Sequence, residues 1–220
     1  MSSKRVVIIG ATGKVGGFTA RECERQGHHV TAFGRSRRKL NSLDADRVVV
    51  GDARNPSDIT DALVEQDAAI LTFGAPLNRQ TILKGTDLCE TVTSLIIRTM
   101  KQNKQARLIA MTSIGAGDSA GQGRFIFRKV IRPIILGRIM KDRTAQENLI
   151  RQSGLDDWVI IRPAELTDGP LSTEVGIFLP QDRAPQPRFI SRQSVAGFLA
   201  SAVDSTTFDM SAAVIAQAKR

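Results

Sequence analysis

With 220 residues, 41 % of them hydrophobic and 24 % charged, the chain can bury about 70–75 % of its unfolded surface and is too apolar to be intrinsically disordered. Its net charge of +9 favours an anionic partner without choosing among phosphates, nucleic acids and lipid surfaces. Aromatic residues make up only 5 % and tyrosine is absent, which argues against nucleic acid because few side chains could stack on bases.

The amino-terminal residues predict neither export nor membrane insertion. Lys4 and Arg5 are followed by an apolar run at 6–9 that is too short for a signal peptide or a membrane span. Cys23 and Cys89 lie in predicted helices without the spacing of a metal site. We therefore expect a reduced, cytoplasmic protein with no transmembrane segment and no metal.

Short apolar runs bounded by turn residues predict buried parallel strands. They lie at 5–9, 29–33, 47–50, 68–73, 107–111 and 158–161. Helical patterns separate them, at 14–26, from Pro56 toward Gln66, and at 83–103, 142–153 and 191–203. This alternation predicts an α/β fold, a Rossmann-type doubly wound and mainly parallel sheet with helices on both faces.

After Arg162 the character of the chain changes. The segment 163–190 holds five of the eight prolines, which predicts a loop-rich region on the substrate side of the sheet. We expect no independent second domain here, so residues 1–220 form a single Rossmann-type domain.

A glycine turn follows the first predicted strand and opens the first predicted helix. Glycine recurs at every third position, where side chains would block the approach of a pyrophosphate to backbone N–H groups and a helix amino terminus. A tight structural turn is the alternative, but the strand–helix–strand context favours dinucleotide binding. The predicted contacts are Gly10, Thr12, Gly13, Lys14, Val15 and Gly16.

The end of the second predicted strand favours NADP(H) over NAD(H). An acidic residue there would bind the ribose 2′-hydroxyl of NAD, whereas an arginine suits a 2′-phosphate. No Asp or Glu occurs in 25–43, and Phe33 is followed by Gly34 and a basic run. Arg35, Ser36 and Arg38 are the candidate phosphate ligands. A solvated basic helix start is the alternative.

Several stretches together resemble the atypical short-chain dehydrogenase/reductases, in particular the NAD(P)H-binding, NmrA-like and flavin/biliverdin-reductase-like members. The matching pieces cover most of the chain: 10–16, Arg35, Gly51-Asp52, Thr72-Phe73-Gly74, Thr112-Ser113, Ser153-Gly154-Leu155, 159–163 and Ile190-Ser191-Arg192. The resemblance implies that Asp52 and Ala53 bind the cofactor at its adenine. Along the middle of the cofactor it implies contacts from Phe73, Gly74, Thr112 and Ser113, and at the nicotinamide end contacts from Pro163, Ala164, Glu165 and Leu166. A turn aspartate at Asp52 and a strand stop at Arg162-Pro163 are alternatives.

The chain departs from Tyr/Lys-dependent members of that superfamily. Counting back from Glu147 places Ile139 and Arg143 where the Tyr-x-x-x-Lys pair would lie, and neither can replace it. An acceptor that spreads charge, such as a flavin, quinone or conjugated pigment, needs no side-chain acid. Ser113 is the first candidate for a catalytic polar contact, and the alternative is that it is a turn serine. Lys141 is the second candidate, and the alternative is that it is a solvated charge on the helix surface.

A basic amphipathic segment spans 124–143, with seven Lys/Arg and a single acid, Asp142. It could lie on a membrane, pack into the core, or cover a cleft and attract an anionic substrate. Pro133 interrupts any continuous helix there. His28 and His29, which have no identifiable partner, are predicted to lie on the surface.

Two functions follow. The first is an NADPH-dependent oxidoreductase that transfers hydride to a flavin-like, quinone or other conjugated acceptor. The alternative is a non-catalytic NADP(H)-binding redox sensor or regulatory protein, as the NmrA-like resemblance implies. The expected partner is a small molecule, anionic or conjugated, and the pattern is compatible with a monomer or a homo-oligomer.

Overall fold

A computed structural model describes residues 3–103, 107–121, 136–179, 189–205, 207 and 209–218. Its strands are β1 (Arg5–Ile9), β2 (His29–Gly34), β3 (Arg47–Val50), β4 (Ala68–Leu71), β5 (Arg107–Met111), β6 (Asp157–Pro163), β7 (Glu165–Thr167), β8 (Val175–Phe178), β9 (Phe189–Ser191) and β10 (Ser211–Gln217). Its helices are α1 (Lys14–Arg25), α2 (Arg37–Leu40), α3 (Pro56–Leu63), α4 (Arg79–Lys84), α5 (Leu88–Asn103), α6 (Gly137–Arg151) and α7 (Arg192–Ser201).

The main sheet has eight strands in the order β3-β2-β1-β4-β5-β6-β10-β8. All pairs are parallel except β10 with β8. The predicted Rossmann-type fold is confirmed. The strand order reverses between β1 and β4, and open sheets of this kind bind ligands at that point, outside the carboxyl ends of the strands.

Both faces of the sheet are buried, which explains the continuous apolar runs. In β1, Val6 and Ile8 join one core cluster, which includes residues of α1 and α7. Val7 and Ile9 join the other, which includes residues of α3 and α5. Alternate side chains of a strand point to opposite faces, so a strand covered on both faces must be apolar throughout.

Two predicted helix boundaries were wrong. The helix expected at 83–103 is divided into α4 and α5 because Gly85 adopts φ +81°, a left-handed conformation that ends a helix. The helix expected at 142–153 begins earlier, with Gly137 as the first residue of α6. Of the basic segment 124–143, residues 124–135, including Pro133, lie outside the described residues.

The proline-rich segment contains short strands that the sequence did not predict. β7 and β9 form a separate parallel pair, and β8 adds the antiparallel edge of the main sheet. Residues 180–188 lie outside the described part of this segment. β10 was also missed, although it pairs with β6 and is buried at 212–216.

The surface prediction for His28 was wrong, whereas His29 is exposed. Gly27 adopts φ +85° after α1, and the His28 N–H then donates to the Cys23 carbonyl (3.0 Å). This turn carries His28 into the interior, where 4 % of the residue is exposed and Nε2 lies 3.8 Å from Asp204 Oδ2.

Candidate functional site

The glycine turn is shaped by contacts that only glycine allows. Gly10 adopts φ +100°, and a Cβ there would lie 2.9 Å from the Phe73 nitrogen of the segment after β4. A Cβ at Gly16 would overlap the Gly10 carbonyl oxygen. Substitution at either position would push α1 away from the carboxyl ends of β1 and β4, so both glycines are required for this close approach.

The amino terminus of α1 is free to receive an anion. Gly13 is the N-cap residue and has no side chain to accept the first N–H groups of the helix. The first turn carries no acidic residue, and Val15 is buried beneath it. The helix dipole and these N–H groups together favour a phosphate at this position.

The turn lies beside the end of β2. The N–H groups of Gly10 and Ala11 both donate to the Phe33 carbonyl, at 3.2 and 3.1 Å. The Thr12 side chain lies against Gly34, where a Cβ would be 2.8 Å from Thr12 Cγ2. The basic run after β2 is therefore brought next to the glycine turn.

Two of the three candidate 2′-phosphate ligands are exposed arginines. Arg35 precedes α2 and Arg38 lies within it, and neither forms an ion pair with a residue that the structure describes. Ser36 is the N-cap of α2, and its Oγ accepts the Lys39 N–H at 3.5 Å. Its hydroxyl hydrogen stays available to donate.

Lys14 makes an ion pair that the sequence did not suggest. Its Nζ lies 3.2 Å from Asp168 Oδ2, and Arg192 Nη1 lies 2.7 Å from Asp168 Oδ1. The hydrogen bond from Lys14, helped by the charge of Arg192, lowers the pKa of Asp168. The bridge joins the glycine turn to residues far along the chain, so no local pattern could have revealed it.

After β3, Asp52 makes the contacts of a turn aspartate, which was the alternative interpretation of this residue. Its Oδ1 accepts the Arg54 N–H at 3.0 Å, and its own N–H donates to Asp58 Oδ2 at 2.8 Å. Asp52 is exposed and Ala53 is half-buried against the core. Both residues lie at the carboxyl edge of the sheet, where the resemblance places the adenine.

Arg143 joins the ends of β4 and β5. Its guanidinium donates to the Met111 carbonyl (3.1 Å), the Phe73 carbonyl (2.9 Å) and Gln146 Oε1 (2.9 Å). A Cβ at Gly74 would overlap Arg143 Nη2, so a side chain there would displace this guanidinium. Sequence reasoning identified the position but not this anchoring.

A buried ion pair supports the loop after β5. Glu147, on α6, is fully buried and accepts Nε and Nη2 of Arg162, at 3.0 and 2.5 Å. Arg162 Nη2 also lies 2.5 Å from Asp118 Oδ1. Charged partners hold the pKa of Arg162 above its ordinary value although burial opposes this. Arg162 lies within β6, which ends at Pro163, so the strand stop that was the alternative interpretation of Arg162-Pro163 is present here.

The two candidate polar residues after β5 differ in their surroundings. The Thr112 hydroxyl donates to Glu147 Oε1 at 2.7 Å, so this buried side chain faces the ion pair. Ser113 is half-buried, and its Oγ donates to the Ile114 carbonyl at 3.0 Å and lies 3.7 Å from Met140 Sδ. Of the two hydroxyls, only that of Ser113 is partly accessible.

The residues expected at the nicotinamide end follow one another at the end of β6. Pro163 and Ala164 are buried, Glu165 is exposed, and Leu166 is half-buried in β7. The Pro163 carbonyl accepts the Ile114 N–H at 3.1 Å, which joins this segment to the loop that carries Ser113. No hydrogen bond joins Lys141, which is exposed on α6, to Ser113 among the described residues.

Two classes of site find no support in the described part of the chain. No cluster of three His, Cys, Asp or Glu side chains there could hold a metal ion. None of the described helices is long and apolar enough to cross a membrane.

Comparisons with known proteins agree with this geometry. The model of the NAD(P)H-binding family matches residues 10–206. An anaerobillin reductase from Escherichia coli O157:H7 is 22 % identical, with 98 % of each chain covered and a TM-score of 0.80. A short-chain dehydrogenase/reductase from Veillonella parvula, solved with NADP, is 18 % identical over 98 % of this chain and 95 % of its own, with a TM-score of 0.77. A candidate NADH-flavin reductase from Streptococcus pneumoniae is 18 % identical over 98 % of this chain and 100 % of its own, with a TM-score of 0.76. These identities show a shared fold.

Proposed function

The chain belongs to the NAD(P)H-binding family, and we propose that it is an NADPH-dependent oxidoreductase that transfers hydride to a flavin-like, quinone or other conjugated acceptor. The observation that carries the proposal is the free amino terminus of α1 at the point where the strand order reverses. Gly10 and Gly16 allow the close approach that forms this cradle of N–H groups, because a Cβ at either position would meet backbone atoms of the turn or of Phe73. A pyrophosphate fits such a cradle.

NADP(H) is proposed over NAD(H) because of the charges beside that cradle. The hydrogen bonds from Gly10 and Ala11 to Phe33 place the end of β2 next to the turn, and Arg35 and Arg38 follow in a stretch, 25–43, that contains no Asp or Glu. A guanidinium binds a phosphate with two charge-assisted hydrogen bonds. The related structure solved with NADP supports this choice.

The proposed chemistry needs no tyrosine. A bound nicotinamide supplies the hydride, while the protein orients the reacting groups and excludes water. The Arg143 guanidinium donates to the Phe73 and Met111 carbonyls, so we assign it to anchoring the ends of β4 and β5 rather than to acting as an acid. We assign Ser113 to a hydrogen bond with the acceptor or the nicotinamide amide, and solvent delivers the proton.

The test is NADPH oxidation followed at 340 nm with a panel of flavins and quinones. We expect steady turnover by the wild type. In a Ser113→Ala variant we expect kcat/KM to fall about 10-fold, because one hydrogen bond to the reacting groups is lost. The NADPH Kd of this variant should stay within about twofold of wild type. Ser201→Ala, which removes an exposed hydroxyl on α7, is the matched control. Micromolar NADPH binding without turnover of any acceptor would instead favour the redox sensor.

A further inference from the structure

A cavity of about 510 Å³ lies beside the proposed site, at the start of α6. Its walls come from the end of α4, the turn that follows, α5 and α6: Lys84, Gly85, Thr86, Glu90, Arg138, Lys141, Asp142 and Ala145. Both α5 and α6 are crossover helices that begin at the carboxyl edge of the sheet. The cavity therefore opens at the same edge as the cofactor site.

Positive charge dominates the cavity. Lys84, Arg138 and Lys141 are exposed, and none of them forms an ion pair with any acid in the described residues. Asp142 is buried, and its two carboxylate oxygens each accept a backbone N–H at the start of α5, both at 3.0 Å. Glu90 is the one other acid in the wall. Three cations thus outnumber the two acids among the described residues of the wall, and only one of those acids, Glu90, is exposed.

The same two turns of α6 reach both the cavity and the acceptor side of the site. Met140 lies against the Ser113 hydroxyl, Lys141 follows in the cavity wall, and Arg143 anchors the Phe73 carbonyl. Leu83, which precedes Lys84 at the end of α4, is 66 % exposed. One exposed apolar side chain therefore precedes Lys84 in the chain, which suits an acceptor that is both apolar and anionic.

We propose that this cavity binds the anionic group, a carboxylate or a phosphate, of the acceptor whose conjugated part lies at Ser113. Binding of an anion in the cavity stands on the cavity's own charges. Its assignment to the acceptor rests on the proposed reductase function. The inference gives a role to the described end of the basic segment and makes Lys84, Arg138 and Lys141 determinants of acceptor choice.

The anion-binding half is tested with inorganic phosphate, added to NADP⁺-saturated protein so that the cofactor cradle is filled. We expect saturable ¹H–¹⁵N shift changes at 84–90 and 138–145 and a millimolar Kd. Lys84→Gln/Lys141→Gln should raise that Kd at least about fivefold, and Glu90→Gln, which removes the opposing charge, should lower it about twofold. Arg98→Gln, an exposed charge on α5 outside the cavity, is the matched control. Absence of saturable shifts, or an unchanged Kd in the double variant, overturns the proposal.

The acceptor half is tested with FMN and riboflavin, which share a ring system and differ by one phosphate. We expect wild type to favour FMN at least about fivefold in kcat/KM, the double variant to lose that preference, and inorganic phosphate to compete with FMN. Phosphate binding in the cavity together with equal use of both flavins overturns the assignment to the acceptor. If the protein reduces neither flavin, flavin reduction itself is refuted. The phosphate titration still decides whether the cavity binds anions.

Discussion

The cofactor side and the acceptor side of the sheet edge are assembled in different ways. The cofactor side is built from consecutive elements, β1, α1 and β2. Its glycine turn donates hydrogen bonds to Phe33 in β2, the next strand along the chain. The acceptor side depends on Arg143 and the Glu147–Arg162 pair, which join β4, β5, α6 and β6. A local motif therefore determines the first, whereas the second exists only when distant segments have folded together.

The largest expected effect is on the acceptor side, from Glu147→Ala. Removing one partner of a buried ion pair leaves the fully buried Arg162 with Asp118 alone, and we expect the free energy of unfolding to fall by about 3–5 kcal/mol. Urea unfolding measures this. Under native conditions the folded variant should bind NADPH within about threefold of wild type.

The control for Glu147→Ala is Asp61→Ala, which breaks the surface pair with Arg47 (2.7 Å). It should cost only about 0–1 kcal/mol. Equal losses in the two variants would show that the Glu147–Arg162 pair does not hold the acceptor side together.

Gly16→Ala should produce the reverse pattern on the cofactor side. Its Cβ would overlap the Gly10 carbonyl, so we expect about 1–3 kcal/mol of destabilisation from overpacking and NADPH binding weakened at least about 10-fold. Titration calorimetry and urea unfolding measure the two effects.

Gly17→Ala is the matched control on the next residue of α1, where a Cβ would be 3.5 Å from its nearest neighbours. Alanine is the better helix former by about 1 kcal/mol, so this variant should be as stable as wild type or more so and should bind NADPH normally. Weak binding by Gly17→Ala would mean that the cradle is not specific to Gly16.

This contrast also explains what the sequence could predict. Turn and strand signals act over a few residues, so the glycine turn, the end of β2 and the strands β1 to β6 were all accessible. The anchoring by Arg143 and the bridge from Lys14 to Asp168 were not, because each joins residues far apart in the chain. His28 was misplaced because its surroundings, including Asp204, come from residues far along the chain.

A smaller effect is expected from Asp168→Asn, where the two sides meet. The variant frees Lys14 from its carboxylate partner, so the cradle should gain positive charge and bind NADPH about two- to fivefold more tightly at low salt. The lowered pKa of Asp168 means that the bridge is intact above the ordinary carboxylate pKa and is lost as pH falls through the lowered value. If the NADPH Kd at low salt is unchanged in this variant, Lys14 does not contribute to the phosphate site.

The smallest effect is expected from thiol reagents, which sample both sides without mutation. Burial raises the pKa of Cys23, on α1, from 9.0 to about 12, and that of Cys89, on α5, from 9.0 to about 11. Both should resist labelling at pH 8 until the protein opens. Because burial raises both pKa values in the folded protein, the contribution of the protonated thiols to the free energy of unfolding is complete below about pH 9. That contribution is lost as the pH rises toward 11–12. Rapid native labelling of either thiol would show that its side of the fold opens readily.

The central claim, an NADP(H) site at the glycine turn beside β2, is tested most directly by calorimetric titration of NADPH and NADH. We predict at least about 10-fold tighter binding of NADPH to wild type, a preference lost in Arg35→Ala through weaker NADPH binding, and a preference kept in Arg37→Ala, an exposed arginine two residues away. Tighter binding of NADH than of NADPH, with both affinities unchanged in Arg35→Ala, would contradict the account.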